Sequence, residues 1–167
     1  MTCWLTPQCV LQPETALDVS NAILISSFLG SQFAVRSGGH NPNVGFSSIG
    51  NEGILIDLAR LNDVSMSSNG TLAAIGPGNR WGRVYEKLSA HGKMAVGGRA
   101  NDIGVGGLLL GGGLSYWSSI HGMAANKVVN YEVRRCTPAV WHHLVTCLTV
   151  HAGRSRKFFD RECEQHT

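Results

Sequence analysis

The sequence predicts a single domain of the α+β or α/β class, with small mixed sheets and flanking helices. Short apolar runs typical of strands alternate with segments that have helical spacing. The 167 residues suffice for one compact core and are too few for two ordinary domains. The connections are uneven in length and rich in glycine. This argues against a regular doubly wound sheet and favours the α+β class.

The first half of the chain predicts one helix followed by two strands. The helix extends from Pro13 to Gly30, because proline suits the first turn of a helix and glycine suits its end. The strands cover residues 33–36 and 54–58, which are short and mostly apolar.

The second half continues the alternation. A strand over residues 72–75 ends at a glycine and a proline, and a helix extends from Trp81 to Leu88. Further strands are predicted over residues 94–96 and 128–133.

Composition excludes several classes of protein. Hydrophobic residues make up 43% and charged residues 15%, which is not a disordered, collagen-like or coiled-coil composition. No run approaches the roughly 20 apolar residues of a membrane helix, so no membrane partner is predicted. The excess positive charge lies in residues 134–167 and is not the footprint of a nucleic-acid-binding surface.

Residues 134–167 differ sharply in composition from the rest of the chain. Residues 1–133 contain 8 basic and 8 acidic residues, whereas the tail contains 6 and 3 and carries the whole net charge of +3. The tail also holds three of the five cysteines and one of the 21 glycines. The break predicts a domain over residues 1–133 and a divergent tail, with an apolar but irregular stretch at 140–150. A frameshift, a retained intron or mis-splicing would produce such a tail, and a lineage-specific extension is the alternative.

The N-terminal segment leaves two questions open. Cys3 and Cys9 either pair in an oxidising compartment or remain free thiols. Residues 1–10 lack the basic and apolar regions of a secretory signal, and the compartment is not predicted.

Two glycine-rich segments carry the strongest functional signal. Residues 36–40 follow one predicted strand, and residues 104–113 lie downstream of another. Glycine permits a close approach of backbone to ligand, and successive backbone N–H groups can form a nest for an anion such as a pyrophosphate. A tight turn explains a single glycine, but it is a poor explanation for eight glycines within residues 97–113.

The common nucleotide-binding motifs are absent from these segments. Counting G-x-G-x-x-G from Gly104 places Leu109 at the sixth position, and counting from Gly76 places Trp81 there. No glycine–lysine pair is followed by serine or threonine, so the sequence predicts neither a Rossmann site nor a P-loop.

Other side chains give weaker signals. His40 after two glycines is also explained as a loop histidine that makes a backbone hydrogen bond. The tail contains metal-ligand residue types without a standard zinc spacing, so no metal is predicted; they are His142, His143, Cys147, His151 and Cys163. Four acids are interpreted as turn and surface residues: Asp57, Asp63, Glu86 and Asp102. Four aromatic residues are predicted to be core rather than ligand-stacking: Trp81, Tyr85, Tyr116 and Trp117.

A set of short motifs resembles the PCMH-type FAD-binding domain of the vanillyl-alcohol-oxidase-type flavoproteins. The resemblance is strongest to fungal FAD-linked oxidoreductases related to berberine bridge enzyme and oligosaccharide oxidases, and it covers residues 7–133. The motifs are the segments 36–40, 54–58, 76–78, 96–99, 104–107, 111–115 and 130–133, in this order and at the spacing of the family.

The resemblance implies that the chain binds FAD, with the loop from Arg36 to His40 holding the pyrophosphate through backbone N–H groups. It also implies a covalent bond from His40 to the 8α-methyl group of the flavin. The glycine segment would pass along the pyrophosphate and the ring. The residues so assigned are Arg36, Ser37, Gly38, Gly39, His40, Gly97, Gly98, Ile103, Gly104, Val105, Gly106, Gly107 and Val133, the last of them near the adenine.

The sequence departs from the family pattern in three places. Ala100 stands where many relatives have a second flavin-linking cysteine, so a single attachment point is expected. Asn126-Lys127 stands where the family has Asp-Asn. The family's substrate domain is not recognisable in residues 134–167.

Three functions follow as alternatives. The chain is an FAD-binding oxidoreductase-family protein whose relatives oxidise an alcohol or similar C–H group of a small molecule, with oxygen as the usual acceptor. It is otherwise an inactive truncated remnant, or a nucleotide-binding module without redox activity.

Overall fold

The fold is an α+β domain built on two small sheets. The structure is a computed structural model that describes residues 3–134 and the backbone of residues 145–151. One sheet is entirely parallel and the other entirely antiparallel, so the two strand directions are divided between the sheets. This arrangement confirms the predicted α+β class with small sheets, but neither sheet mixes the two strand directions as predicted.

The first sheet contains three parallel strands. They are β1 (Cys9–Leu11), β2 (Gln32–Arg36) and β3 (Gly53–Asp57), in the order β1-β3-β2. Helix α1 (Ala16–Phe28) connects β1 to β2, as a parallel connection requires. Its N-terminus is a capping box in which Thr15 and Asp18 satisfy each other's backbone N–H groups. The hydrogen bonds from Thr15 also lower the pKa of the Asp18 carboxyl.

A small core joins α1 to this sheet. Val19 and Ile23 of α1 pack with Ile56 of β3 and with Leu58 of the 3₁₀ turn Leu58–Arg60 that follows it. These four side chains are almost completely buried. The predicted helix and both predicted strands of this half are therefore confirmed, with bounds that differ by up to three residues.

The second sheet contains four antiparallel strands in the order β4-β5-β7-β6. They are β4 (Val64–Met66), β5 (Leu72–Ile75), β6 (Val128–Arg134) and β7 (Val145–His151). The sequence predicted β5 and β6. It did not predict β7, which lies beyond residue 133 and pairs with both of them.

The larger core lies between this sheet and helix α2 (Trp81–Ser89). Trp81, Val84 and Leu88 of α2 pack with Ile75 of β5, and all four are buried. Two short helices complete the fold, α3 (Val105–Leu110) and α4 (Ser118–His121). Helix α2 was predicted, whereas the glycine-rich α3 was not.

The predicted strand over residues 94–96 does not form. Only Ala95 makes a bridge there. The N–H of Lys93 donates to the carbonyl of Leu88 at 3.0 Å, so the chain stays tied to the end of α2. It then passes over the Trp81 ring at Gly97, which leaves little room for a second strand.

The structure also resolves several sequence-based interpretations. Cys3 and Cys9 are free thiols. Trp81 is fully buried, as predicted, but Tyr116 and Trp117 are exposed rather than core residues. Among the described helices, none has the length and apolarity needed to cross a membrane. The five candidate metal ligands of the tail lie outside the residues whose side chains are described.

Candidate functional site

A cavity of about 570 Å³ lies where two glycine segments cross. One wall is the loop after β2, and the other is the segment that leads into α3. Its volume lies within the range of about 300–1,000 Å³ that is typical of cofactor pockets. The lining residues are Val35, Ser37, Gly38, Gly39, His40, Asn41, Pro42, Phe46, Ser47, Leu58, Pro77, Ile103, Gly104, Gly106, Gly107, Leu108 and Leu110.

The two walls touch through backbone atoms at Gly38 and Gly104. A Cβ added to Gly38 would lie 2.3 Å from the backbone N of Gly104, and a Cβ added to Gly104 would lie 2.2 Å from that of Gly38. Real Cβ atoms do not approach other atoms so closely, so both positions require glycine. The crossing fixes the two segments against each other without any side chain between them.

Ser37 links this crossing to the turn after β5. Its hydroxyl donates a hydrogen bond to the Pro77 carbonyl, with 2.5 Å between the oxygens. The neighbouring Gly106 lies on the same side chain, since a Cβ there would be 3.4 Å from Ser37 Oγ. Three separate segments of the chain therefore meet on one hydroxyl group at the cavity wall.

The loop after β2 presents unpaired backbone donors. Within residues 3–134, the N–H groups of Gly38, Gly39 and His40 donate to no backbone or side-chain acceptor. Gly38 and Gly39 are nevertheless buried. Backbone N–H groups that have no acceptor within the protein are available to an acceptor from a ligand.

His40 stands at the edge of the cavity with its side chain 46% exposed. Its Nε2 lies 3.6 Å from Asp102 Oδ2, so this carboxylate faces one nitrogen of the ring. Asp102 is a surface residue, as predicted.

Arg36, a predicted site residue, does not line the cavity, and its guanidinium is held in an ion pair. Its Nη2 donates to Asp57 Oδ2 at 2.7 Å, and both side chains are only 12% exposed. Asp57 Oδ1 also accepts from the N–H of Ala59. The interpretation of Asp57 as a surface residue is wrong, because its carboxylate is buried in this ion pair at the end of β3.

Four more predicted site residues lie outside the cavity lining. Gly97 and Gly98 pack on the indole of Trp81, Val105 is fully buried in the larger core, and Val133 is exposed on β6. The structure thus brings Ser37, Gly38, Gly39, His40, Ile103, Gly104, Gly106 and Gly107 together around one space. It does not bring Arg36, Gly97, Gly98, Val105 or Val133 into that lining.

Sequence reasoning missed several residues of this region. Pro77 was predicted to end a strand and to belong to the motif 76–78, but not to be a site residue, although its carbonyl accepts a hydrogen bond from Ser37. Trp4 was not considered, yet its indole N–H donates to the Gly39 carbonyl at 3.0 Å. The position of Pro77 between two glycines could have indicated a turn that approaches another backbone segment closely. No local pattern could have shown a contact across the 35 positions between Trp4 and Gly39.

The space and the donors fit an FAD molecule. A Cβ added to Gly107, which lines the cavity, would meet nothing within 4 Å, so the backbone there faces open space in which a flat ring can lie. The unpaired N–H groups of residues 38–40 are the donors that a pyrophosphate accepts.

Comparison with known proteins also points to an FAD-binding protein. Residues 7–137 match the sequence profile of a family described as FAD binding domain. Among curated proteins, an FAD-dependent monooxygenase of Arthrobotrys oligospora is 46% identical over 132 residues. That match covers 79% of this chain and 26% of the relative, so the chain spans about a quarter of the length of such relatives.

Two solved structures extend the comparison to the fold. The 6-hydroxy-D-nicotine oxidase of Arthrobacter nicotinovorans is similar with a TM-score of 0.73 and 27% identity, over 83% of this chain and 29% of that one. A glucooligosaccharide oxidase of Acremonium strictum is similar with a TM-score of 0.69 and 26% identity, over 80% of this chain and 30% of that one. The latter is described as carrying a 6-S-cysteinyl, 8α-N1-histidyl FAD.

Proposed function

Because the chain belongs to the FAD binding domain family, we propose that it holds FAD in the cavity between residues 37–42 and 103–110 as part of an oxidoreductase. The observation that carries this proposal is the crossing of Gly38 and Gly104, which sets unpaired N–H groups beside an open space. These donors suit the pyrophosphate, and the bare backbone at Gly106 and Gly107 suits the flat isoalloxazine ring.

We propose further that His40 bonds covalently to the 8α-methyl group of the flavin. Its imidazole is half-exposed at the cavity edge, and Asp102 faces Nε2, which leaves Nδ1 for the bond. One C–H and one N–H bond are replaced by one C–N bond, and the two electrons and two protons pass to an oxidant such as molecular oxygen. Ala100 offers no thiol for a second bond.

When bound, FAD supplies a two-electron acceptor that takes a hydride from an alcohol or similar C–H group and passes the electrons on to oxygen. The residues of this chain bind and orient the FAD. Of the described residues that line the cavity, His40 alone is titratable, and in this proposal it is used for attachment. A base for the substrate proton must therefore come from outside this lining. This agrees with a chain that spans 26% of its curated relative.

The test is retention of flavin after acid denaturation of the full chain. The chain is expressed with flavin available, precipitated with acid, and the pellet is measured for flavin absorbance. We expect flavin in the wild-type pellet and none with His40→Ala. His91→Ala, which changes an exposed histidine on the loop after α2, is the matched control and should retain flavin.

The other outcomes separate the alternatives. Flavin that is bound but released by acid in all three proteins would support the FAD site and overturn the His40 bond. A folded chain that neither binds added FAD nor carries flavin would overturn the FAD site and favour a remnant or a module without flavin.

A further inference from the structure

We propose that Trp4 is a positioning residue that holds the Ser37–His40 turn in the conformation that binds the flavin pyrophosphate. This inference rests on the proposed function. Trp4 precedes residues 7–137, so the family match assigns it no role. It is absent from the cavity lining and lies against Gly39 of the turn.

The first contact fixes the backbone of Gly39. The indole N–H of Trp4 donates to the Gly39 carbonyl at 3.0 Å, and Gly39 has a φ of +65°. A Cβ on Gly39 would lie 2.5 Å from Cζ2 of the indole. The ring therefore covers the side of Gly39 where any side chain would stand, and it bonds the carbonyl whose peptide continues into the His40 N–H.

The second contact ties the same ring to the sheet. The guanidinium of Arg36 lies over the Trp4 ring, with 3.9 Å from Cζ to the ring centroid, and it donates to the buried Asp57. A cation over an indole face is attractive, and the attraction grows when the pair is shielded from water. Asp57, Arg36, Trp4 and Gly39 thus form a continuous chain of contacts from the end of β3 to the turn.

A third contact holds the segment that carries Trp4. The backbone N–H of Leu5 donates to Ser48 Oγ at 3.1 Å, and Ser48 is buried. These contacts therefore hold the N-terminal segment against residues 36–48. An ordinary packing role for Trp4 would need neither the bond to Gly39 nor the position under Arg36.

Loss of these contacts would lower the fraction of molecules in which the turn has the binding conformation. If the turn is held in the binding conformation only part of the time, the apparent dissociation constant rises by the reciprocal of that fraction. Trp4→Phe removes the hydrogen bond and keeps a ring under Arg36. We expect it to raise the Kd for FAD about fivefold, the effect of one ordinary hydrogen bond. Trp4→Leu removes both contacts and should raise it about 30-fold.

The experiment measures FAD affinity of the full chain by quenching of flavin fluorescence, with thermal unfolding in parallel. To keep the measurement reversible, all variants are made in a His40→Ala background. Trp117→Phe is the matched control, because it makes the same substitution at an exposed tryptophan that does not line the cavity. We expect FAD affinity to be highest in the His40→Ala parent, lower with Trp4→Phe and lowest with Trp4→Leu. The Trp117→Phe control should bind FAD as tightly as the parent.

A purely structural role predicts a different result. Equal FAD affinity for Trp4→Leu and the parent within twofold, even with a lower unfolding temperature, would overturn the proposal. If Trp4→Leu does not fold, Trp4→Phe against the parent decides, and no loss of affinity there overturns it equally.

Failure of the FAD site itself would be seen separately. If the parent chain binds no FAD, the proposed function fails. Backbone ¹⁵N relaxation of Gly39 and His40 in the chain without FAD then tests the positioning role. Lower order parameters in Trp4→Phe than in Trp117→Phe support a held turn, and equal order parameters overturn it.

Discussion

The Gly38–Gly104 crossing and the Gly97–Gly98 segment are both glycine pairs with no space for a side chain, but different neighbours exclude it. At the crossing, an added Cβ would meet backbone atoms at 2.2–2.3 Å. At Gly97, it would meet the ring of Trp81 at 2.1 Å, and at Gly98 the same indole at 2.6 Å. Glycine brings two backbones together beside a cavity in the first region and brings backbone onto a core side chain in the second.

The difference separates the two requirements for glycine. A backbone neighbour cannot move without displacing its own segment, whereas a side chain can shift within its core at a moderate cost. We therefore expect the crossing to tolerate no substitution, and the Trp81 contact to tolerate one when the indole is made smaller.

Gly104→Ala should have the largest effect. Because its Cβ would overlap the backbone of Gly38, we expect a loss of at least about 3 kcal/mol in the free energy of unfolding, together with loss of flavin. Denaturant unfolding of the full chain measures it. Gly111→Ala is the control, since a Cβ there meets only ordinary contacts at 3.5 Å or more. A Gly104→Ala chain within about 1 kcal/mol of wild type would show that the two walls can separate.

Gly97→Ala should cost less, about 1–3 kcal/mol, because the clash is with a side chain. The cost should fall when Trp81 is replaced by leucine, which a double-mutant cycle of unfolding free energies detects. We expect the folded fraction to keep its FAD affinity. A large loss of affinity instead would show that this backbone also approaches the flavin, as the family resemblance implies.

Gly107→Ala should move stability and binding in opposite directions. Alanine in helix α3 should add about 0.5–1 kcal/mol to stability, because its Cβ meets no atom within 4 Å and glycine is a poor helix former. Because Gly107 lines the cavity, we expect the same methyl group to weaken FAD binding about tenfold, or about 1.4 kcal/mol. Titration with FAD measures the change in affinity, and thermal unfolding of the same preparation measures the change in stability. Unchanged affinity would mean that FAD does not lie over this residue.

Tyr85→Phe should have a small effect on stability at neutral pH, about 1 kcal/mol, through the hydrogen bond that the Tyr85 hydroxyl donates to the Gly98 carbonyl at 2.7 Å. Burial raises the pKa of Tyr85 from 10.0 to about 12. Between these values the unfolded chain has released a proton that the folded chain keeps, so stability falls as pH rises past about 10.

The phenylalanine variant should lack this part of the alkaline decline. Unfolding free energies at pH values of about 8 to 11 for both proteins measure the difference. Parallel curves would show that Tyr85 ionises equally easily in the folded and unfolded chain.

Local signals predicted most regular elements and failed where tertiary contacts decide. The capping residues and apolar face of α1, the apolar strand β3 and the spacing of α2 are readable in the sequence. Helix α3 was missed because its sequence, Val105–Leu110, contains two glycines and looks like a loop. It forms because Val105 and Leu109 are buried in the core.

Strand β7 is a second element that the sequence did not predict. Irregular apolar residues at 140–150 carried no strand signal, yet the backbone of β7 (Val145–His151) lies between β5 and β6. An interior position in a sheet is set by the partner strands as much as by the strand's own pattern. The boundary predicted at residue 133 remains a prediction.

The sequence by itself determined the α+β class, the FAD-binding family and the two glycine segments that meet at the candidate site. Those properties depend on local composition and motif order, which can be recognised without knowing which residues are in contact in the folded chain. Only the tertiary structure decided which glycines face the cavity and which face Trp81, that Asp57 is buried against Arg36, and that Trp4 covers Gly39. Each of these depends on contact between segments far apart in the chain, and close packing, rather than local propensity, selects such contacts.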